Sequence, residues 1–573
     1  MPEPAFQELL KALSQPGADQ GAADPEEPLE CIQTHISAVF LSADRAFKLK
    51  KPKDLGFLDF TTVERRRHYC HEEVRLNRRL AARVYEGVVP VVRGPAGRPM
   101  FSERIVEVGE EAREGEVLDW AVRMVRLPEH QTVKTMLRDG RLTEDILQQV
   151  AKRIADFHAE AEGGEEVARL GDWPTVREND RENFEQVAPF VGSTISRQVF
   201  DRLEALTRVE LDRRRGLIES RAREGVPRDT HGDLRLEHLY LLPRAGPIPS
   251  STSAPNNDSG EVETEVVAVD CVEFNERFRW ADPVADLAFP VMELELEGRE
   301  DLARTLADRY FEASEDLSGR ALLPYYATYR DMVRGKVRSL EADDSGVPSS
   351  ARDLAARKAT RHFLKGLSRL SNPGDRPVLL VLHGLPGVGK STVAHGLAAS
   401  EGFEWIDTDR VRKDLAMGEE VRGEAGFEEG IYSRDWTDRT YRECRRRAAE
   451  LLWKGQRVLI EGSFGRDVRR RSFREVAIEM GVPVLFFHLT LGTEEVRRRL
   501  ERRTEGPSDA DFRIHRKLAE RWEASSPEVE ECTRRIPLEG MESGEAVDRV
   551  RLLLREVGLA GRESSDEPPP SVR

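Results

Sequence analysis

The feature that most constrains the fold of this chain is a glycine-rich segment that directly follows an apolar strand. Val378 to Leu382 is continuously apolar, as the strands of a buried parallel sheet are. The next segment, Gly384 to Ser391, reads GLPGVGKS, and a helix-forming run begins at Thr392. Glycines allow backbone N–H groups to face a phosphate, and the N-terminus of a helix adds positive potential. The order strand, loop, helix therefore predicts a nucleotide-phosphate site in an α/β domain.

The side chains of this loop divide the task of holding ATP and Mg²⁺. Lys390 would reach the β- and γ-phosphates, and the Ser391 hydroxyl would bind Mg²⁺. Further apolar strands at Val458 to Ile460 and Val484 to Leu489 alternate with helical segments, which favours a parallel sheet. The residues predicted to contact ATP here are Gly384, Leu385, Pro386, Gly387, Val388, Gly389, Lys390, Ser391 and Thr392.

Around this loop the sequence resembles the small P-loop kinases that phosphorylate antibiotics, gluconate or polynucleotide ends. The resemblance rests on the loop and on Asp407-Thr408-Asp409, which Arg412 follows. It implies that Asp409 orients or deprotonates the acceptor hydroxyl, although a helix N-cap explains this segment equally well. It also implies that Glu461, at the end of a strand, holds the water shell of Mg²⁺. The family more often has Asp at that position.

A run of arginines before Gly506 lies where the same kinases have a lid helix. A guanidinium group can bind two phosphate oxygens at once, so the resemblance implies that Arg499 and Arg503 contact the phosphates of ATP. The other interpretation is a solvated helix face, paired with acidic residues such as Glu495 and Glu501. We expect that interpretation to hold for the remaining arginines of the run.

The N-terminal part resembles aminoglycoside phosphotransferases and related kinase-like proteins in three segments that occur in the same order. These are His231 to His238 (HGDLRLEH), Val269 to Glu273 (VDCVE) and Asp282 to Ala288 (DPVADLA). The resemblance implies that Asp233 accepts or aligns the acceptor hydroxyl and that Asp270 holds Mg²⁺ on the nucleotide. Asp286 of the third segment would brace the loop that carries Asp233.

This second resemblance departs from its family at one position. His238 stands where the family has an Asn that binds a second Mg²⁺, and imidazole is a poor ligand for so hard a cation. The metal residues that the resemblance implies for this part are Asp270 and His238. The site is therefore expected to be weak, or to bind nucleotide without transferring phosphate.

Two lysines in the N-terminal part are candidates for the phosphate-binding lysine. Lys48 and Lys50 end a predicted hairpin, where kinase-like folds have their phosphate-binding lysine. They share a face of the strand, so the pattern leaves both open. Glu72 or Glu73, on the helix that follows, would pair with that lysine.

The chain as a whole resembles bacterial bifunctional aminoglycoside phosphotransferase/ATP-binding proteins over residues 30–345 and 376–530. The predicted fold is multidomain α/β: an N-terminal bilobal kinase-like α+β domain, then a P-loop NTPase domain with a parallel sheet. The predicted parts are a flexible tail at 1–28, the kinase-like domain at 29–345, a helical linker at 346–375, the P-loop domain at 376–560 and a flexible tail at 561–573. A Pro- and Ser-rich segment, Pro243 to Gly260, is predicted to be a mobile loop between two strands.

Length, charge and cysteine usage exclude several classes of protein. A chain of 573 residues exceeds one hydrophobic core, and a formal net charge of −16 argues against a dedicated nucleic-acid-binding protein. No apolar run is long enough to span a membrane. The five cysteines lie far apart, so neither a disulfide scaffold nor a zinc ribbon is expected. We expect a cytoplasmic location and no membrane partner, and the oligomeric state stays open.

These patterns predict an ATP-dependent phosphotransferase that moves the γ-phosphate of ATP to the hydroxyl of a small molecule, with a nucleotide site in each domain. Two alternatives stay open. One is a nucleotide-controlled regulatory protein whose N-terminal domain is degenerate. The other is a polynucleotide-end kinase, against which the negative net charge argues.

Overall fold

The computed structural model describes residues 3–19, 28–56, 58–94, 97–111, 116–246, 248, 263–417, 430–502 and 511–561. The chain forms two compact units. The first unit comprises Met1–Glu178 and Arg214–Ala327, and the second comprises Asn179–Arg213 and Thr328–Arg573. Each unit is therefore assembled from two separate stretches of sequence.

An antiparallel sheet of six strands occupies the beginning of the first unit. The strands of this unit are β1 (Glu30–Gln33), β2 (Ser37–Leu41), β3 (Arg45–Lys50), β4 (Tyr85–Arg93), β5 (Pro99–Phe101), β6 (Val117–Val125), β7 (Arg228–Asp229), β8 (Leu239–Pro243), β9 (Thr264–Ala268) and β10 (Trp280–Ala281). The sheet has the order β1-β2-β3-β6-β4-β5, and β8 pairs with β9. The predicted hairpin is confirmed, because β2 and β3 pair antiparallel.

Most of the remaining chain up to Asp343 is helical, and three of these helices extend into the second unit. In chain order they are α1 (Glu3–Leu13), α2 (Val63–Ala81), α3 (Val133–Arg138), α4 (Glu144–Glu160), α5 (Glu165–Leu170), α6 (Trp173–Val187), α7 (Arg197–Arg223), α8 (Val284–Leu296), α9 (Glu300–Ser314) and α10 (Leu323–Asp343). Three of them, α6, α7 and α10, contain the positions at which the chain passes from one unit to the other.

The predicted flexible tail at 1–28 is wrong for its first part. Residues 3–13 form α1, which buries Phe6, Leu9, Leu10 and Leu13. These positions follow the helical spacing i, i+3, i+4, i+7, so one face of α1 is apolar. The face packs in one cluster with the side chains of the sheet, including Phe101. Residues 20–27 lie outside the described part of the chain.

The second unit contains the predicted parallel sheet. Its elements are α11 (Ser349–Leu370), β11 (Val378–His383), α12 (Lys390–Glu401), β12 (Glu404–Asp407), α13 (Thr408–Met417), α14 (Arg434–Trp453), β13 (Arg457–Gly462), α15 (Asp467–Met480), β14 (Val484–Thr490), α16 (Thr493–Arg502), α17 (Phe512–Glu520), α18 (Pro527–Glu530), β15 (Thr533–Pro537) and α19 (Ser543–Glu556). The strand order is β12-β13-β11-β14-β15, and every pair is parallel. The α/β prediction for this part is confirmed.

The central strand β11 is buried on both faces, because alternate residues enter two different cores. Leu380 packs with residues of α12 and α19. Leu379 packs on the opposite face in a cluster that includes Phe363 of α11 and Leu203 of α7. Fully burying one such leucine stabilises the fold by about 1.5–3 kcal/mol.

The predicted helical linker at 346–375 belongs to the second unit. Its helix α11 buries Phe363 and Leu367 in the core beneath the parallel sheet. The predicted domain boundaries differ from the structure for the same reason, since residues 179–213 also contribute to this core. Residues 562–573 of the predicted C-terminal tail are not described. No helix among the described residues is both long enough and apolar enough to cross a membrane.

Candidate functional site

The predicted phosphate loop joins β11 to the first residue of α12. Gly387 has a φ of 87°, in the left-handed region that favours glycine, and a Cβ there would lie 2.9 Å from the side chain of Val496. Lys390 is the first residue of α12 and donates to the carbonyl oxygen of Leu385 at 3.1 Å. The loop is therefore compact, and the lysine predicted to bind phosphates folds back over it.

Carboxylates lie at the carboxyl ends of the neighbouring strands β12 and β13. Asp407 and Glu461 are direct partners in the register of these parallel strands. The Ser391 hydroxyl donates to Oε1 of Glu461 at 2.5 Å. The structure thus brings together the two residues of the second unit that the sequence predicts as metal ligands.

Glu461 is buried, and only one of its two carboxylate oxygens is hydrogen-bonded among the described residues. The residue is 5% exposed, and Oε2 has no hydrogen-bond partner among the described residues. Burial raises the pKa of Glu461 to about 7, and the nearby Asp407 and Asp409 add to this, although Lys390 and Ser391 act in the opposite direction. The cost of burying the charge therefore outweighs the attraction of Lys390.

A divalent cation fits this position. Glu461 Oε2 and the Ser391 hydroxyl are hard oxygen ligands of the kind that Mg²⁺ prefers. The part of the chain that the structure describes has no group of three or more His, Cys, Asp or Glu side chains that could hold a metal ion. Phosphate and water oxygens would therefore supply the rest of the coordination, as is usual for Mg²⁺ on a nucleotide.

Asp409 lies one residue inside α13, next to this pair. Asp407 accepts the backbone N–H of Asp409 at 2.8 Å, so the N-cap interpretation of this segment is confirmed, with Asp407 as the capping residue. The Asp409 carboxylate lies 3.9 Å from Nε of Arg412. Arg412 is buried and also donates to the carbonyl oxygen of Ile431 at 2.8 Å. This bond fixes the arginine beside the aspartate.

Of the two arginines predicted to contact the phosphates from a lid helix, the structure describes one. Arg499 on α16 lies beside the loop, since its Nη1 would be 3.5 Å from a Cβ at Gly389. It also pairs with Glu495 at 3.3 Å, four residues earlier on the helix. Arg497 pairs with Glu501 at 2.9 Å, as expected for a solvated face. Arg503 lies outside the described residues.

One residue that supports the phosphate loop was not predicted from the sequence. His515 of α17 is buried, and its Nδ1 donates to the carbonyl oxygen of Pro386 at 2.8 Å. This bond joins α17 to the middle of the phosphate loop. A single histidine among charged helical residues has no motif, so the sequence held no signal for this contact.

A second cluster of charged side chains lies in the first unit. It shows which of the two candidate glutamates contacts the candidate lysines. Glu73 of α2 is fully buried and accepts from Lys48 at 2.8 Å and from Lys50 at 2.7 Å. Glu72 is paired instead with Arg75 on the same helix at 2.7 Å. Glu73 is therefore the acid that meets the lysines.

The two lysines have different second partners. Lys48 donates to Oδ1 of Asp270 at 2.5 Å, and Lys50 is enclosed with Glu273. Burial lowers the pKa of Lys48, but the carboxylates of Asp270 and Glu73 outweigh it, so the pKa lies well above the ordinary value of 10.5. Lys48 is thus held charged beside the aspartate predicted to bind metal. Lys50 does not contact that aspartate, and it is only 1% exposed.

The loop predicted to be catalytic in the first unit is braced by Asp286. Its carboxylate accepts the backbone N–H of His231 at 2.6 Å and of Gly232 at 2.8 Å. This is the contact expected from the sequence. Asp233 follows directly, and its backbone oxygen is 2.8 Å from Nδ1 of His238. His238 lies between two carboxylates, 3.7 Å from Oδ2 of Asp233 and 3.7 Å from Oδ2 of Asp270.

Comparison with known proteins places the chain in a family. A family model described as an AAA domain matches residues 379–525. Over 498 residues the chain is 30% identical to the Uncharacterized protein Rv2004c of Mycobacterium tuberculosis, covering 87% of this chain and 91% of that protein. The chain belongs to the same family as this mycobacterial protein.

Parts of the chain are also similar to two kinases. A shikimate kinase of Rhodopseudomonas palustris is 32% identical over 160 residues, which are 26% of this chain and 68% of that enzyme. A solved gluconokinase of Sinorhizobium meliloti is 20% identical with a TM-score of 0.24, covering 32% of this chain and 94% of that one. The family model and the shikimate kinase match show that this chain has a P-loop, kinase-like domain, as the sequence predicts. The kinase-like resemblance of the N-terminal part stays a prediction.

Proposed function

We propose that this protein is an ATP-dependent phosphotransferase that moves the γ-phosphate of ATP to a hydroxyl of a small molecule. The observation that carries the proposal is the contact between Ser391 and Glu461 beside the phosphate loop, with Oε2 of Glu461 lacking a partner among the described residues. A bound Mg²⁺ would neutralise phosphate charge at this position. The match to kinase relatives supports the same reaction class.

The residues of the second unit have distinct roles in this proposal. The loop from Gly384 to Thr392 binds the phosphates, and Lys390 exchanges its contact with a loop carbonyl for the β- and γ-phosphates. Asp409 accepts the proton of the acceptor hydroxyl as the new P–O bond to the γ-phosphorus forms and the bond from that phosphorus to ADP, the leaving group, breaks. Arg412 holds that aspartate in place, and Arg499 contacts the phosphates from α16.

The proposal includes a second nucleotide site in the first unit. Lys48, held by Glu73, would contact the nucleotide phosphates there, and Asp270 would hold the metal. Asp233 would align a hydroxyl acceptor. The support is the meeting of these side chains, which the sequence separates by up to 222 residues.

A second candidate function is a nucleotide-controlled switch without phosphate transfer in the first unit. The observation that favours it is His238, which lies within 3.7 Å of both the proposed acceptor-aligning carboxylate and the proposed metal carboxylate. A polynucleotide-end kinase is the remaining alternative. The net charge of −16 argues against it, because a nucleic-acid backbone needs a basic surface.

The test follows labelled phosphate from ATP into a metabolite pool, into water and into an oligonucleotide. We expect transfer to a metabolite, and Lys390→Ala should abolish most of it and weaken ATP binding. Lys454→Ala is the control, since Lys454 directly follows α14 and pairs with Glu450 of that helix at 3.1 Å, outside the phosphate loop. Unchanged transfer and affinity in Lys390→Ala would contradict the assignment. Label that appears only in water or in the oligonucleotide would favour an alternative.

A further inference from the structure

The side chain of His515 is fixed in place against the phosphate loop. It is 4% exposed, and its Nδ1 donates to the carbonyl oxygen of Pro386 at 2.8 Å. The ring of Phe512, one turn earlier on α17, lies nearly parallel to the imidazole, with the ring centroids 5.8 Å apart. The helix begins at this point, because Asp511 accepts the backbone N–H of Ile514 at 2.8 Å. Burial, stacking and the helix cap therefore hold the imidazole at the loop.

The bond from His515 also fixes the direction of the next N–H group of the loop. The carbonyl of Pro386 and the N–H of Gly387 belong to one peptide unit, and no peptide bond among the described residues is cis. In a trans peptide the C=O and the N–H point in opposite directions. Because the carbonyl points to α17, the N–H of Gly387 points away from it. No backbone carbonyl among the described residues accepts this N–H.

The position of Gly387 is set separately, by α16. A Cβ at Gly387 would lie 2.9 Å from the side chains of Val496 and Leu500, so the helix leaves room only for glycine. Val496 is fully buried in one cluster with Val388 of the loop. The helix α16 thus determines where the backbone of Gly387 lies, and His515 of α17 determines which way its N–H faces.

Without this bond the peptide unit could rotate. Glycine has no Cβ to oppose a change of its backbone angles, so Gly387 by itself does not hold the peptide in one orientation. A carbonyl oxygen that turned into the loop would repel phosphate oxygens, whereas an N–H at the same place donates to them. The orientation of this one peptide therefore decides whether the loop attracts or repels a phosphate at this position.

We propose that His515 is a positioning residue for ATP, which keeps the N–H of Gly387 turned towards the phosphates by holding the carbonyl of Pro386 on the side of α17. The inference rests on the proposed ATP site of the second unit. It gives α17 a part in phosphate binding, although His515 touches the loop and not the nucleotide.

The test compares two variants of equal shape in the full chain. Asparagine and leucine both branch at Cγ, but only asparagine has an N–H donor, which lies as many bonds from the backbone as Nδ1 of histidine. The affinity for ATP with Mg²⁺ is measured by calorimetry for the wild type, His515→Asn and His515→Leu. The binding heat that Lys390→Ala removes identifies the site of the second unit. His395→Leu, at an exposed histidine of α12, is the control.

We expect His515→Leu to bind ATP at least about tenfold more weakly, which corresponds to one hydrogen bond to a charged group. His515→Asn and the control should stay within about threefold of the wild type. The melting temperature without nucleotide shows whether each variant is folded. If His515→Leu does not fold, His515→Ala takes its place in the comparison with His515→Asn.

Two results would overturn the inference and leave the proposed function standing. One is unchanged ATP affinity in His515→Leu. The other is equal weakening in His515→Asn and His515→Leu, because the shape of the ring and not its N–H would then be what the loop needs. Absence of any Lys390-dependent ATP binding in the wild type would overturn the ATP site of the second unit, and the inference with it.

Discussion

Replacing Glu461 by Gln is expected to stabilise the second unit at pH 8 and to abolish its Mg²⁺-dependent nucleotide binding. Glutamine keeps the size of the side chain and removes its charge. In the folded protein burial, helped by Asp407 and Asp409, raises the pKa of Glu461 from 4.5 to about 7. The ionised carboxylate that a metal needs is therefore unfavourable until the metal arrives.

The size of the effect follows from the difference between folded and unfolded protein. An unfolded glutamate releases its proton near pH 4.5, whereas folded Glu461 releases it near pH 7. The wild-type protein therefore loses stability as the pH rises from 4.5 to 7. The Glu461→Gln variant has no ionisable group at this position and does not lose this stability. At 1.36 kcal/mol per pH unit the loss is about 3 kcal/mol above pH 7. In a unit of about 280 residues this is a shift of about 5 °C in Tm.

The assay is scanning calorimetry of the full chain at pH 5 and pH 8 without nucleotide. The transition whose shift on adding ATP and Mg²⁺ is lost in Lys390→Ala identifies the second unit. Glu461→Gln should melt about 5 °C higher at pH 8 and less than about 2 °C higher at pH 5. Glu479→Gln, at an exposed position of α15, removes the same charge and should show no such pH dependence. A Glu461→Gln protein that melts at or below the wild type at pH 8 would refute the reasoning.

Three further changes test other contacts. Asp409→Asn should lower the rate of labelled phosphate transfer at least about 100-fold and leave ATP affinity unchanged, because only proton acceptance is lost; an equal loss of affinity would contradict this role. Lys50→Met should cost about 3–5 kcal/mol in chemical denaturation, since Glu73 and Glu273 lose a buried countercharge. Adding Glu273→Gln to Lys50→Met should recover part of the lost free energy of unfolding. Replacing residues 249–262 by a short turn should leave Tm and ATP turnover unchanged, because β8 and β9 pair from Leu239–Ala268 to Pro243–Thr264 and Ile248, which packs on the core, is kept. Failure to fold would show that the segment is needed.

The phosphate loop and the parallel sheet could be predicted because their chemistry fixes residue types at fixed spacings. Only small residues fit at Gly387, and a hydroxyl must follow Lys390 if a metal is to be bound. The apolar run of β11 has no polar face, so it had to be a strand covered on both sides. These constraints act within a few residues and are therefore visible in the sequence.

Other features depend on contacts between distant residues, which a pattern does not reveal. Lys48 and Lys50 have the same periodicity, and only the positions of Asp270 and Glu273 distinguish them. The amphipathic spacing of α11 predicts a helix, but it does not say which core its apolar face enters. The same holds for α1, whose apolar face was present in the sequence among residues typical of a loose tail.

The assembly of the second unit from two stretches of sequence sets an order of events during synthesis. Phe184 and Leu203 belong to the same core as Leu379 of β11. The ribosome completes residues 179–213 and then makes the rest of the first unit before any of β11 exists. At roughly 5–20 residues per second this interval lasts on the order of ten seconds. During that time the apolar faces of these helices in the nascent chain have no sheet to cover them, so a chaperone that holds this segment would raise the yield of folded protein.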